Sequence, residues 1–234
     1  MSQKRDGRTA ERQRPNIGRI VRDGHVFDPK NETGDGKSML PHDPTISVSR
    51  LFERLDEGGV DYVLVGGVAM LQYVDGRNTQ DLDLIVAPDE LAAVPGVEEA
   101  ERGDPNLARA TFEGLQIDVL RAEHPLFDAV RREHATERRF AERRVRCATV
   151  AGLLLLKIFA LPSLYRQGRL TRAGIYESDL AALIYEYDPD IEPILNALRP
   201  HLLDTDLGEL RTIVREIRRR PERFGERRSS GDGD

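Results

Sequence analysis

The chain has 234 residues, of which 32% are charged, and a formal net charge of -6. A chain of this length buries enough apolar surface to fold without cross-links, and its single cysteine, Cys147, excludes a disulfide framework and a cysteine-based zinc cluster. No apolar run reaches the roughly 18 to 20 residues of a membrane span, and the polar start does not resemble a signal peptide. We therefore expect a soluble cytoplasmic protein, and the negative charge argues mildly against one that coats nucleic acid.

The composition along the chain predicts a folded region between two polar ends. Residues 1–45 and 223–234 have no sustained apolar period and are expected to be disordered. Residues 46–148 mix strand and helix patterns, whereas residues 149–222 have the period of helices. The expected fold class is α+β, with a small mixed β-sheet core followed by a C-terminal helical region.

Taken in chain order, the predicted elements of the core begin with a helix that ends at two glycines. Apolar periodicity and turn residues define three helices and five short strands. The helices are at 47–57, 68–73 and 88–93, and the strands are at 62–65, 82–86, 108–112, 115–120 and 145–147. The charged segment 121–143 is helical or mixed.

The helical region starts at Thr149, whose side chain can cap a helix that runs through four leucines to Leu161. Further helices are predicted at 178–187, 191–202 and 207–219. The chain is thus a small α/β unit followed by helices.

Two aspartates in the second strand are the most informative residues. Side chains two positions apart in a strand share one face, so Asp81 and Asp83 project together while Leu82 and Leu84 project to the other side. Aspartate is a poor strand former, and the two like charges repel. A bound divalent cation would offset both costs. The alternative is that Asp81 ends a loop and Asp83 lies on a solvated strand edge.

A third carboxylate, Asp118, lies in the middle of the apolar strand 115–120. If this strand is next to the strand 82–86, three carboxylates converge, which is the usual arrangement for holding two magnesium ions in nucleotidyl transfer. Gly66 and Gly67 lie between a strand and a helix, where glycine lets a phosphate approach the backbone.

These motifs resemble the nucleotidyltransferase superfamily with the DNA polymerase β-like fold. The spacing Arg-x-Thr-x-Asp-x-Asp is particularly similar to the AbiEii/AbiGii toxin branch of that superfamily. The resemblance implies a Mg²⁺-dependent transfer of NMP from an NTP to a hydroxyl acceptor. It also implies metal ligands at Asp81, Asp83 and Asp118, and nucleotide-binding residues at Gly66, Gly67, Arg77, Thr79 and Lys157.

Two later segments resemble the family more loosely. Lys157 matches a Lys-x-x-Ala helix and is expected to contact the nucleotide phosphates, unless its charge only reaches solvent at an edge. Asp179 matches a later aspartate that could pair with an arginine, orient Lys157, act as a base, or simply carry a charge near a helix start. The sequence departs from the family at Ser178 and Leu164, where basic residues are usual, and the segment 166–176 looks like an insertion.

The acceptor is the least defined part of the prediction. The toxin branch implies RNA, such as a tRNA end, or a protein hydroxyl, together with an antitoxin partner. Arginine clusters within 131–146 and 215–223 favour RNA slightly, although they also fit solvated helix faces. The alternatives are an aminoglycoside-type nucleotidyltransferase, and a catalytically inactive relative that binds a nucleotide or a partner.

Overall fold

The structure, a computed structural model, describes residues 14–26, 43–75, 79–104 and 106–220. The helices in these ranges are α1 (Ile17–Val26), α2 (Pro44–Glu57), α3 (Gly66–Met70), α4 (Pro88–Ala92), α5 (Pro125–Glu133), α6 (Val150–Arg166), α7 (Leu170–Tyr187), α8 (Glu192–Ala197) and α9 (Asp204–Arg219). The strands are β1 (Val63–Val65), β2 (Leu82–Val86), β3 (Val97–Asp104), β4 (Leu107–Phe112), β5 (Leu115–Arg121), β6 (Ala135–Arg139) and β7 (Arg144–Ala148).

The strands form one mixed sheet in the order β3-β4-β5-β2-β1-β7-β6. The pairs β2–β5 and β1–β7 are parallel, and the remaining neighbours are antiparallel. The four helices α6 to α9 follow the last strand. This arrangement confirms the expected α+β class, with a mixed sheet followed by a helical region.

The central strands are buried because they carry apolar side chains at the positions that face the core. All three residues of β1 are buried, whereas β5 alternates, with Ile117 and Val119 buried and Asp118 partly exposed. A two-residue period of this kind places the apolar side chains on one face of the strand and Asp118 on the other. The same alternation in β2 leaves Asp83 partly exposed between two buried leucines.

The prediction that residues 1–45 are disordered is wrong for the helix α1. Ile17 and Val21 lie one turn apart and are fully buried, and α1 packs against α2. Ile17, Ile20 and Val21 do have helical spacing, but they span only about one turn within a polar stretch, and the glycines at 18 and 24 resemble helix breakers. Helix α2 also begins earlier than predicted, at Pro44, where Asp43 accepts a hydrogen bond from the Thr45 amide. The other predictions of disorder, for 1–13, 27–42 and 223–234, fall outside the described residues.

Two strands were not predicted because they lie at the edges of the sheet. The strands β3 and β6 are rich in charged residues and flank the apolar central strands. Edge strands tolerate charged side chains, which also discourage pairing with another chain, so their sequences lack the apolar signal of an inner strand. In the ranges that the structure describes, no helix combines the length and the apolar character that crossing a membrane requires.

Candidate active site

The parallel pairing of β2 and β5 places two carboxylates side by side. Asp83 is the register partner of Asp118, and on its other side Asp83 is paired with Val65 of β1. Neighbouring strands are about 4.8 Å apart, and both aspartates lie on the face of the sheet opposite to the buried leucines and valines. The sequence predicted that three carboxylates converge if these strands are neighbours, and the strand pairing brings two of them, Asp83 and Asp118, side by side.

The third aspartate, Asp81, lies in a bend directly before β2 and is partly exposed. Its negative charge is one of those that raise the pKa of Asp83. In the described part of the chain, however, no three acidic, histidine or cysteine side chains are gathered into a ready-made metal site. The arrangement is a pair of strand carboxylates with a third carboxylate nearby.

The two glycines of the strand–helix turn make room for Asp83. Gly66 has φ +64°, and a Cβ atom there would lie 1.9 Å from the Asp83 Oδ2 atom. The Gly67 amide donates to the same oxygen at 3.4 Å, and a Cβ atom on Gly67 would lie 2.6 Å from the Thr79 hydroxyl oxygen. The left-handed φ and the close approach both require glycine at 66, so this turn and the Asp83 carboxylate form one packed unit.

The electrostatic surroundings raise the pKa of Asp83 from 3.8 to about 7. Burial of the carboxyl group is the largest cause, followed by the negative charge of Asp118, and Asp81 adds to the shift. Lys157 and the Gly67 amide act in the opposite direction. Two close carboxylates with one raised pKa form a site where a positive charge would be stabilised.

The second carboxylate of the pair is held by its own neighbours. Asp118 Oδ1 accepts hydrogen bonds from Arg109 Nε at 3.1 Å and from Gln116 Nε2 at 3.2 Å. Arg109 is the register partner of Asp118 across the β4–β5 hairpin, and half of its side chain is exposed. These contacts hold the Asp118 carboxylate against Arg109 and Gln116.

Lys157 and Asp179 form a buried ion pair between α6 and α7. Lys157 Nζ is 2.6 Å from Asp179 Oδ2, and each side chain is only 6% exposed. The ammonium group also lies over the ring of Tyr176, 4.5 Å from its centroid. Lys157 therefore does not reach solvent at an edge, and among the roles considered for Asp179 the geometry is that of a partner that orients Lys157.

Two residues of α7 belong to the site although the sequence did not indicate them. Arg172 and Tyr176 lie one helical turn apart on α7 and interact electrostatically. Burial lowers the pKa of Arg172, but Tyr176 and the negative charges of Asp118 and Asp83 raise it by more, so the guanidinium group is within electrostatic range of the carboxylate pair. The spacing of Arg172, Tyr176 and Asp179 at i, i+4 and i+7 was the signal that could have identified them, but it lies across the segment that resembled an insertion.

The phosphate-binding residues suggested by the resemblance are only partly described. The Thr79 side chain packs on Gly67, next to the carboxylate pair. Arg77 lies outside the described residues, as do Gly76 and Asn78. The structure thus brings together Asp83, Asp118, Gly66, Gly67 and Thr79, with Lys157 and Asp179 behind them.

The chain matches no model of a known protein family, and it matches no curated protein. Among solved structures, it is similar to an antigenic nucleotidyltransferase-like protein from Paracoccidioides brasiliensis, with 18% identity and a TM-score of 0.44 over 70% of this chain and 91% of that one. It is also similar to ANT(2'')-Ia in complex with adenylyl-2''-tobramycin, with 15% identity and a TM-score of 0.44 over 70% of this chain and 95% of that one. It is also similar to a solution structure of the antibiotic-resistance factor ANT(2'')-Ia, with 16% identity and a TM-score of 0.41 over 78% of this chain and 96% of that one. Similarity at this level does not bear on the substrate of this chain, and the fold class follows from the sheet and helices described above.

Proposed function

We propose that this chain is a Mg²⁺-dependent nucleotidyltransferase. The acceptor hydroxyl oxygen loses its proton to solvent and attacks the α-phosphorus of an NTP, the bond from that phosphorus to the oxygen bridging to the β-phosphate breaks, and pyrophosphate leaves. The observation that carries the proposal is the Asp83–Asp118 pair, in register on neighbouring parallel strands, with the Gly66–Gly67 turn packed against Asp83. A purely structural sheet has no need for two adjacent carboxylates on one face, because they repel each other.

The donor atoms of the site suit magnesium. Asp81, Asp83 and Asp118 offer only carboxylate oxygens, the ligands that a hard divalent cation prefers. The raised pKa of Asp83 arises mainly from burial and from the neighbouring charge of Asp118, so a cation bound between the two carboxylates would stabilise their ionised forms. Bound Mg²⁺ would neutralise this charge and act as a Lewis acid on the phosphate oxygens. Because Asp118 is hydrogen-bonded to Arg109, we expect Asp118 to exchange this partner when the ion binds.

The other residues of the site would bind and orient the nucleotide. Gly66 and Gly67 have no side chains that would keep a phosphate from the backbone, and Thr79 offers a hydroxyl group beside them. Arg172 is the cation of α7 that is within electrostatic range of both carboxylates, so we assign it a contact with the triphosphate. Arg77 retains the same assignment from the sequence pattern.

Lys157 and Asp179 have a supporting role in this proposal. The positive charge of Lys157 favours the ionised form of Asp83, which is the form that binds a cation. Asp179 holds the ammonium group in place, and the Tyr176 ring covers it. Lys157 thus supports nucleotide binding indirectly, because it favours the ionised form of Asp83 and holds α7 against α6 through Asp179. This role is in addition to any direct contact with a phosphate.

The charges around the carboxylate pair favour a polyanionic acceptor, and we propose an RNA end. Arg109 is hydrogen-bonded to Asp118, and Arg172 is within electrostatic range of both carboxylates, so two cations are available to contact an RNA phosphate. A cationic aminoglycoside would instead require acidic side chains at these positions. The arginine cluster at 131–146 does not contribute to this argument, because most of its arginines form ion pairs with acidic residues. These pairs are Arg131–Asp61, Arg131–Asp128, Arg132–Asp128, Arg143–Asp56, Arg144–Glu137 and Arg146–Asp61.

The test is transfer of label from each α-labelled NTP to total tRNA in the presence of Mg²⁺. The wild-type protein should label RNA, and Asp83→Asn should not. Asp188→Asn is the matched control, since Asp188 is 91% exposed and asparagine tolerates its left-handed backbone. Label on tobramycin but not on RNA would overturn the acceptor assignment. No label on RNA, protein or aminoglycoside would overturn the enzyme assignment.

The toxin branch adds a prediction about cells. If the acceptor is the end of tRNA, transfer would remove that tRNA from translation, and induced expression should arrest growth. Asp83→Asn should abolish the arrest, whereas Asp188→Asn should not. Growth arrest that persists in the Asp83→Asn variant would contradict a toxin activity based on this site. If the arrest requires Asp83, the antitoxin is expected to be the protein whose co-expression restores growth.

A further inference from the structure

Helix α1 reaches from the far end of the sheet to the candidate active site. At its start, the Ile17 amide donates to the Glu142 carboxylate at 2.6 Å, and the Ala141 amide donates to the Pro15 carbonyl at 3.0 Å. Between its ends, Ile17 and Val21 are fully buried in the core. The helix is therefore fixed to the body of the protein and is not a loose N-terminal extension.

The other end of α1 touches the segment that leads into β2. A Cβ atom on Gly24 would lie 2.3 Å from the Thr79 carbonyl oxygen, 2.8 Å from the Thr79 carbonyl carbon and 3.1 Å from Gln80 Cγ. Two of these three atoms belong to the backbone and cannot rotate away. Only glycine at position 24 permits this approach.

From Thr79 the contacts continue directly to the carboxylate pair. The Thr79 side chain packs on Gly67, where a Cβ atom would meet its hydroxyl oxygen at 2.6 Å and its Cβ at 2.7 Å. The Gly67 amide in turn donates to Asp83 Oδ2. Three tight contacts thus connect α1 to the side chain that we assign to the metal.

We propose that Gly24 is a positioning residue of the active site: it seats Thr79 against Gly67 and so sets the place of the Asp83 carboxylate. This inference rests on the proposed function only in that Asp83 is taken as a metal ligand. It predicts that a methyl group at position 24 disturbs the site without touching substrate. Loss of residues that orient a ligand typically costs about ten- to a hundredfold in metal affinity.

The chain provides a matched control on the same helix. A Cβ atom on Gly18 would lie 2.6 Å from the Thr45 Cα atom of α2, a comparable backbone clash, but Gly18 faces α2 and not the segment at Thr79. Gly24→Ala and Gly18→Ala should therefore lower the melting temperature by similar amounts. Only Gly24→Ala should also disturb the site.

Two measurements on the full chain separate these effects. The first is the NMR signal of the Gly67 amide, which reports the Thr79–Gly67–Asp83 contacts without any metal. The second is the affinity for Mn²⁺, measured by electron paramagnetic resonance, with Asp83→Asn as the reference for a lost ligand. Gly24→Ala should shift the Gly67 signal and weaken Mn²⁺ binding by about ten- to a hundredfold, while Gly18→Ala leaves both near the wild-type values.

Equal shifts of the Gly67 signal in the two variants would overturn the inference, whatever the metal result. If the wild-type chain does not bind Mn²⁺, the metal part of the proposed function fails, and the Gly67 comparison still decides whether Gly24 positions Asp83. If Gly24→Ala does not fold, Thr79→Ser tests the next contact in the series, between Thr79 and Gly67, because it removes the Cγ2 atom that packs on Gly67. An unchanged Gly67 signal and unchanged Mn²⁺ affinity in Thr79→Ser would then refute the inference.

Discussion

Replacing Asp83 by asparagine should stabilise the metal-free protein at neutral and higher pH. The substitution keeps the size of the side chain but removes its charge, which lies beside Asp118 and partly out of solvent. The pKa of Asp83 is raised from 3.8 in the unfolded chain to about 7 in the folded one. Ionisation of Asp83 therefore opposes folding, and the cost increases as the pH rises from 3.8 to 7.

The size of the effect follows from the pKa difference. A rise of this size corresponds to at most about 4 kcal/mol above pH 7. Asp83 is partly exposed, so solvent screening reduces the expected gain of the Asp83→Asn variant to about 1 to 2 kcal/mol. Below about pH 4 the Asp83 side chain is largely uncharged in both the folded and the unfolded protein, so wild type and Asp83→Asn should be equally stable.

The assay is denaturant unfolding in EDTA across this pH range, with Asp188→Asn as the exposed control. A difference between wild type and Asp83→Asn that does not grow with pH would refute the electrostatic account of the pair, as would destabilisation of the variant above pH 7. Excess Mg²⁺ should stabilise the wild-type protein and not Asp83→Asn. A ligand raises the free energy of unfolding only if it binds the folded state, and the variant lacks one of the proposed metal ligands.

Three further predictions concern stability and reactivity. Lys157→Met should destabilise the protein by about 3 kcal/mol because it leaves a buried carboxylate at Asp179, and adding Asp179→Leu should restore much of the loss in a double-mutant cycle. Gly208→Ala should raise the free energy of unfolding by about 0.5 to 1 kcal/mol, since its position in α9 is open and alanine favours helix; a loss of stability would contradict this. Cys147 is buried with its pKa raised to about 12, so a thiol reagent should label it only at the rate of unfolding, and rapid labelling of the native protein would disprove its burial.

The core of the site could be predicted from the sequence because its signal is local. Alternating apolar and acidic residues at 82–86 and 115–120 determine which face the carboxylates occupy, and the glycines at 66 and 67 interrupt a clear strand. Arg109 could also have been found, because a turn at Glu113–Gly114 sets it opposite Asp118 across the hairpin.

Other parts of the site depend on contacts between distant segments. The apolar face of helix α1 spans only about one turn of an otherwise polar stretch, and its two buried glycines, Gly18 and Gly24, approach other backbone segments in a way that only the folded chain shows. Arg172 and Tyr176 belong to a segment that was interpreted as an insertion, and only the packing of α7 on α6 brings them near the carboxylates. The ion pair of Lys157 with Asp179 likewise requires the relative placement of these two helices.

The parallel pairing of β2 with β5 has a consequence for the order of folding. Parallel strands cannot be joined by a tight turn, and here α4, β3 and β4 lie between them along the chain. The antiparallel hairpin of β4 and β5 closes over a short loop, whereas Asp83 meets Asp118 only after a long loop has closed. The carboxylate pair that the proposed function requires should therefore form late in refolding, after the local hairpin, and an incomplete nascent chain that ends before β5 lacks that pair.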